Sequence, residues 1–207
     1  MTNTARFWDR MAKGYSKRPV PNQKIYEQKL KKTREYLNLD SNVFDFGCGT
    51  GSTATLHAPL VKHIHAVDVS KNMLEIARAK MAVKNIKNIT FECANIEELD
   101  VQDDTYDVVL GMSILHLLED RKAVIAKLFD ILKPGGVFIS STVSLQGAMK
   151  ILLPFLAIGK FLGLLPTIKF INRKTLENDL ITAGFQNEFA WKPGGSAAVF
   201  IVSRKPG

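Results

Sequence analysis

Cysteine is scarce in this chain. Cys48 and Cys93 are the only two in 207 residues, so no disulfide framework exists, and their separation fits no metal-ligand pattern. Both read as reduced intracellular thiols. The four histidines form no cluster with acids, so the usual signal of a metal centre is missing and no metal is expected. No apolar run reaches the ~20 residues that a membrane-spanning helix needs. No hydrophobic signal segment opens the chain, so a cytoplasmic location is expected and secretion is not. The basic start leaves a transit peptide open, although Phe7, Trp8 and Tyr15 read as packed helix residues and not as a removable leader. Repeats, low-complexity tracts and flexible linkers are all missing, so 1–207 reads as one domain with an ample core. Acid is also in short supply, with 20 Asp and Glu against 28 Lys and Arg and a net charge of +8. The excess crowds the first part of the chain, at Arg6, Arg10, Lys13, Lys17, Arg18, Lys24, Lys29, Lys31, Lys32 and Arg34. Such a field attracts nucleic acid, anionic membrane or acidic small molecules. No RNA-binding module or aromatic stacking platform accompanies it, which disfavours nucleic acid. Lys24 to Arg34 reads as a solvated helix face.

What the chain does have is one dense motif. Val43-Phe44-Asp45-Phe46 reads as a buried strand that runs into Gly47-Cys48-Gly49-Thr50-Gly51, with a helix opening near Ser52. Three glycines at alternate positions remove three side chains from one short turn, so backbone amides can approach a ligand and φ can turn positive. Asp45, at the end of the strand, would accept bonds from loop amides or face a cationic group. The dinucleotide fingerprint G-x-G-x-x-G fits Gly47 and Gly49, but its third glycine would fall on Ser52. Further on, His63 to Asp68 reads as a second strand ending in an acid. Ser70 is the better cap for the helix of Lys71 to Met81, which leaves Asp68 free to hold a ribose diol. Ile89 to Cys93 is a third strand, and Tyr106 to Met112 a fourth. Asp120 caps a helix over Arg121 to Leu132, and Leu132-Lys133-Pro134-Gly135-Gly136 stops it before the strand of Val137 to Ser141. After a helix of Lys174 to Ala183, strands to Trp191 and over Ala197 to Ser203 are joined by the short Pro193-Gly194-Gly195 turn, so they must be antiparallel. The alternation argues for an α/β fold.

The D-x-G-x-G-x-G loop, Asp68, the "LKPGG" turn and the terminal hairpin together resemble the class I S-adenosylmethionine-dependent methyltransferases, in look nearest to those that methylate quinones and lipids. The resemblance covers about 40–207. It implies a Rossmann-like sheet of seven mostly parallel strands with a C-terminal antiparallel hairpin and helices on both faces. It implies S-adenosylmethionine as cofactor, with S-adenosylhomocysteine as product. By the same resemblance the cofactor lies on Asp45, Gly47, Cys48, Gly49, Thr50 and Gly51. Asp68 and Val69 hold its ribose, Met73 lies under the adenine, and Asn95 and Ile96 flank it. Gly111 and Met112 close the fourth strand beneath it. Asn95 departs from the Asp that many members carry, and its other reading is an ordinary turn residue. Residues 1–38 read as a helical cap that brings Tyr15 toward the methionine end.

The sulfonium of this cofactor is already an activated methyl donor, so the protein has mainly to align a nucleophile and exclude water. Alignment can supply up to roughly 7–11 kcal/mol. His116, just past the fourth strand, is the best-placed general base, and it also reads as a residue that only lines the site. The expected acceptor is a small, hydrophobic, quinone- or lipid-like molecule. A soluble metabolite, or binding of the cofactor without turnover, are the alternatives. The sequence in 148–165 is apolar on nearly all sides, interrupted by Lys150, Pro154 and Lys160. With 145–172 as a lid insertion, this stretch is expected to bury itself deeply, to dimerise, or to make peripheral contact with a membrane.

Overall fold

The computed structural model describes residues 2–143, 169, 171–194 and 198–207. The apolar stretch 148–165 therefore lies outside the described residues. Seven strands form one sheet: β1 (Asn42–Phe46), β2 (His63–Asp68), β3 (Ile89–Cys93), β4 (Tyr106–Met112), β5 (Leu132–Val143), β6 (Gln186–Trp191) and β7 (Ala198–Arg204). Their order is β3-β2-β1-β4-β5-β7-β6. The pairs β1–β2, β2–β3, β1–β4 and β4–β5 are parallel, while β7 runs antiparallel to both β5 and β6. The expected α/β sheet with an antiparallel hairpin is thus what the chain forms. The order reverses between β1 and β4, and the carboxyl ends of strands at such a reversal open a crevice for ligands.

Among the described residues six α-helices accompany the sheet: α1 (Asn3–Ser16), α2 (Gln23–Arg34), α3 (Ser52–His57), α4 (Lys71–Val83), α5 (Arg121–Ile131) and α6 (Arg173–Thr182). Five of them start on a side-chain cap, from Thr2, Asn22, Ser70, Asp120 and Asn172. Each cap satisfies a free amide of the first turn, worth ~1 kcal/mol. α3 has no such cap and starts from Gly51 in the left-handed region.

The inner strands β1, β4 and β7 are buried on both faces, which is why they read as near-continuous apolar runs. On one face Phe44, Phe46, Val109 and Phe138 pack with Val124, Ile125 and Leu128 of α5 and Leu176 and Leu180 of α6. On the other, Val43, Ile64, Leu110 and Ile139 pack with Ala54 of α3 and Leu74 and Ala77 of α4. Each large side chain so buried contributes ~1.5–3 kcal/mol.

A proline sets one helix end, and one local expectation changes. The helix after the glycine loop ends at His57, and Pro59 falls in a single 3₁₀ turn over Ala58–Leu60, because proline cannot donate the next helical bond. The Pro-Gly-Gly run does not form a separate turn before β5. It lies inside the strand, where the pairing with β4 shifts register. Gly135 takes φ +77 and its amide donates to Lys205 O at 3.0 Å, while Lys205 N donates to Gly136 O at 2.9 Å.

Candidate cofactor site

The loop between β1 and α3 puts all three glycines at positive φ, +65 at Gly47, +55 at Gly49 and +66 at Gly51. They serve different purposes. A Cβ on Gly47 would stand 2.7 Å from Ile114, and one on Gly51 would stand 2.8 Å from Ala77. Those two glycines make room for the protein itself. A Cβ on Gly49 would meet nothing within 4 Å, so this is the position where a missing side chain leaves space for a ligand. Lys80 ties the end of the loop to α4, donating to Thr50 Oγ1 at 2.9 Å and Ser52 Oγ at 2.8 Å.

Asp68 ends β2 facing that loop. Its Oδ2 accepts from Gly49 N at 2.8 Å and its Oδ1 from Ser70 N at 2.9 Å. Ser70 does cap α4, accepting from Met73 N at 3.1 Å, but Asp68 is not left free, since it fixes the glycine loop as well. Each carboxylate oxygen keeps a further lone pair for a ligand. Burial raises the Asp68 pKa, and the bonds from Ser70 and Gly49 oppose that shift. Asp45 behaves differently. It is only 2% exposed, and among the described residues no donor or cation meets its carboxylate. Burial first, and then the nearby Asp68, push its pKa up to about 7.

A cavity of about 340 Å³ opens at the crevice. Of the residues expected to hold the cofactor, Tyr15, Gly47, Gly49, Asp68, Val69, Met73, Asn95, Ile96 and Met112 line it. Asp45, Cys48, Thr50, Gly51 and Gly111 do not, and lie behind its wall. A Cβ on Gly111 would strike Phe46 at 2.8 Å, so that glycine serves packing. Cys48 packs with the core on the α4 face, and burial drives its thiol pKa well up. Asn95 both lines the cavity and holds its own turn, accepting from Glu97 N at 3.2 Å and donating to Glu98 at 3.1 Å. Lys127 of α5 fixes that turn from below through the carbonyls of Ile96, Glu97 and Leu99.

His116 sits in a 3₁₀ turn over Leu115–Leu117. Ile114, Leu117 and Leu118 line the cavity but His116 does not. Its Nδ1 is buried without a partner among the described residues, and burial depresses its pKa to about 4. An imidazole so placed is neutral at pH 7 and a weak base.

Several cavity residues carry no motif. Thr2, Asn3, Thr4 and Trp8 of the first helical segment join Tyr15 on one wall, with Trp8 edge-on to Tyr15 at 6.0 Å between ring centroids. Asp9 holds this segment down, accepting from Ser70 Oγ at 2.6 Å and Asn72 N at 3.1 Å, while its carbonyl accepts from Asn72 Nδ2 at 3.1 Å. A carboxylate at the start of α4 also suits the helix dipole. One signal could have pointed to it: Asp9 is the only acid among the first 26 residues. Ser113, just past β4, lines the cavity at φ +62, a conformation a serine adopts only under constraint. Its amide donates to Ser141 O at 2.6 Å.

Residues 43–136 match the family model described as a methyltransferase domain. A malonyl-(acyl-carrier protein) O-methyltransferase of Bacillus anthracis is 34% identical over 107 residues, which make up 51% of this chain and 38% of that protein. A ubiquinone biosynthesis O-methyltransferase of Neisseria meningitidis serogroup C is 32% identical over 107 residues, 49% of this chain and 44% of that protein. The matched stretch thus spans less than half the length of these relatives. The crystal structure of the cyclase SpnF superposes with a TM-score of 0.75 at 16% identity, over 92% of this chain and 85% of that one, which is a likeness of fold. Residues 43–136, with their glycine loop and the acid at the end of β2, are thus similar to a methyltransferase domain and to proteins named as O-methyltransferases.

Proposed function

We propose that the protein transfers a methyl group from S-adenosylmethionine to a small, hydrophobic acceptor. The observation that carries this reading is the cavity itself, with the side-chain-free surface of Gly49 on one side and the Asp68 carboxylate beside it. The residues present fit the cofactor on three counts. The space beside Gly49 is one that a side chain would fill. Asp68 keeps lone pairs suited to a ribose diol. Asp45, a buried acid with no partner among the described residues, lies just behind the glycine loop, where its carboxylate would favour a cationic amino-acid end laid against that loop. When bound, the cofactor supplies a methyl group already activated on a positively charged sulfur. In this reading Asn95 and Ile96 flank the base, Met73 packs under it, and Trp8 and Tyr15 cover the site and keep water out.

An apolar acceptor is favoured by the wall past β4, where Met112, Ile114, Leu117 and Leu118 face the cavity. A quinone- or lipid-like ring or chain would suit such a wall, and one of the relatives is named for ubiquinone biosynthesis. In the same proposal residues 1–38 act as a cap, and 148–165 as a lid that touches anionic membrane. Vesicle sedimentation at low and high salt tests that last element. Protein that stays in the supernatant at low salt removes it.

Calorimetry with S-adenosylmethionine, S-adenosylhomocysteine and NAD tests the main reading. Saturable binding of the first two is expected. Binding of NAD alone would overturn it. Incubation of cell extracts with the labelled methyl donor should then move label into the organic phase. Label confined to the aqueous phase would replace the hydrophobic acceptor with a soluble metabolite.

A further inference from the structure

Lys29 lies on α2, and its Nζ donates to Ser141 Oγ at 2.8 Å. Ser141 stands near the carboxyl end of β5, in register with Met112 of β4 and Phe200 of β7. Met112 lines the cavity, and neighbouring strands are only ~4.8 Å apart. Lys29 and Ser141 do not themselves line the cavity, but the register puts them one strand beyond Met112, on the β5 side of the crevice. The residues flanking Ser141 across the sheet, Met112 and Phe200, belong to the apolar packing of that face.

Lys29 is partly buried, and drawing an ammonium partly out of water has a cost that a counter-ion would offset. One turn along the same helix, Lys32 has Glu35 at 2.6 Å. Lys29 has no carboxylate among the described residues, and a serine hydroxyl is its one hydrogen-bond partner. Burial lowers its pKa, with no acid opposing the shift. Neither the glycine loop nor the packing of α2 calls for a charge at this point.

We propose that Lys29 and Ser141 form an oxyanion-binding pair at the acceptor end of the crevice, which takes an acceptor bearing a carboxylate, phenolate or enolate oxygen. The pair deepens the methyltransferase reading and rests on it. A neighbouring cation holds such an oxygen in its ionised form, and an oxygen already ionised is a nucleophile that needs no base. That agrees with the burial of His116 away from the cavity. The acceptor would then be amphipathic, with its apolar body against Ile114, Leu117 and Leu118 and its anionic oxygen on Lys29.

The test is binding of small anions to protein saturated with S-adenosylhomocysteine. Benzoate and octanoate are titrated beside their neutral amides, benzamide and octanamide, following the resonances of the lysine Cε carbons in ¹³C-lysine-labelled protein. Saturable binding of at least one anion, tighter than its amide, is expected, with one lysine signal shifting and that signal missing in Lys29→Met. Lys29→Met should weaken the anion ~10–100-fold, Lys29→Arg should keep most of the affinity, and Ser141→Ala should lose a smaller part. Binding of S-adenosylhomocysteine to Lys29→Met, measured by calorimetry, should equal that of wild type, which also reports that the variant is folded. Anions that bind no better than their amides, or equally well to Lys29→Met, would overturn the pair while leaving the methyltransferase reading intact. Failure of wild type to bind the cofactor product would instead sink the underlying reading.

Discussion

The two halves of the crevice are built by different means. On the β1–β3 side, apart from the first helical segment that Asp9 ties to Ser70, the parts that meet the cavity are close in sequence or held by backbone amides. The glycine loop, the Asp68 carboxylate on Gly49 N and the Ser70 cap all follow from spacing within a few residues or from one strand-end acid. On the β4–β5 side, the wall is assembled from residues far apart. Ser141 receives the strained amide of Ser113 and the ammonium of Lys29. The first half is a rigid binding cradle dictated by local geometry. The second carries charge and shape that tertiary packing supplies. Within an α/β fold, then, cofactor recognition can be inherited as a short motif, while acceptor recognition is free to vary with whatever α2 and the end of β5 bring together.

The sharpest test of the cradle sets its glycines against each other. Gly49→Val should abolish cofactor binding, a loss beyond 100-fold, while the domain stays folded with a cost of ~1–2 kcal/mol for the left-handed backbone. Gly51→Val should do the opposite and unfold it, since its side chain must displace Ala77 and Phe91. Calorimetry and thermal melts run together separate the two. Equal behaviour would mean that the loop acts as one packed unit.

Asp68→Ala should weaken cofactor binding by about 1.5–3 kcal/mol, with part of the loss arising from release of Gly49 N. Asp68→Asn, which keeps an acceptor for one amide, should lose less. Calorimetry decides, and identical losses would assign the whole effect to charge.

The halves should also differ in their response to pH. Asp45 in the cradle has a folded pKa raised to about 7 from 3.8. The native state then holds a proton that the unfolded chain has released, so stability falls as pH rises from about 4 through 7. Asp45→Asn should recover up to about 4 kcal/mol at pH 8. His116, in the second half, has a folded pKa lowered to about 4 from 6.5. There the unfolded chain binds the extra proton, so stability is lost as pH falls from 6.5 toward 4. His116→Leu should flatten that acid limb by about 1–3 kcal/mol. Urea melts between pH 4 and 8 read both effects, and an unchanged acid limb in His116→Leu would refute the second.

The smallest effect concerns the strained hinge between the halves. Ser113→Gly should stabilise the fold by ~0.5–1 kcal/mol, because glycine tolerates φ +62 without steric cost. A loss of stability would mean that the serine side chain holds more than its backbone costs.

Much of this was legible before any coordinates. The α/β alternation, the terminal hairpin and the cap at Ser70 follow from apolar runs and turn residues, all of them local, while the family resemblance, not local pattern, pointed to nine of the residues that line the cavity. The purposes of the glycines were not. Spacing alone suggests that all three make room for a ligand, and only the packed neighbours Ile114 and Ala77 reveal that two of them make room for side chains. Asp9 meets Ser70 across 61 positions, and Lys29 meets Ser141 across 112. No periodicity encodes contacts at such range, because they depend on where whole elements dock. His116 looked like a base because it follows β4 directly. In the 3₁₀ turn it is buried off the cavity wall, which Ile114, Leu117 and Leu118 line instead, a detail that hydrophobic pattern does not carry.

The placement of β7 bears on how this chain is made. It is the last strand in order, yet it lies between β5 and β6. A ribosome finishes β5 at Val143 and reaches Ala198 only later, some 3–10 s at ~5–20 residues per second. Until then the outer edge of β5 is unpaired, with Val137, Phe138 and Ile139 in a form that invites other strands. The nascent chain therefore passes through a stage in which its cofactor half can be complete while its sheet remains open. A chaperone, or an early ligand on the finished half, would find its greatest use in that interval.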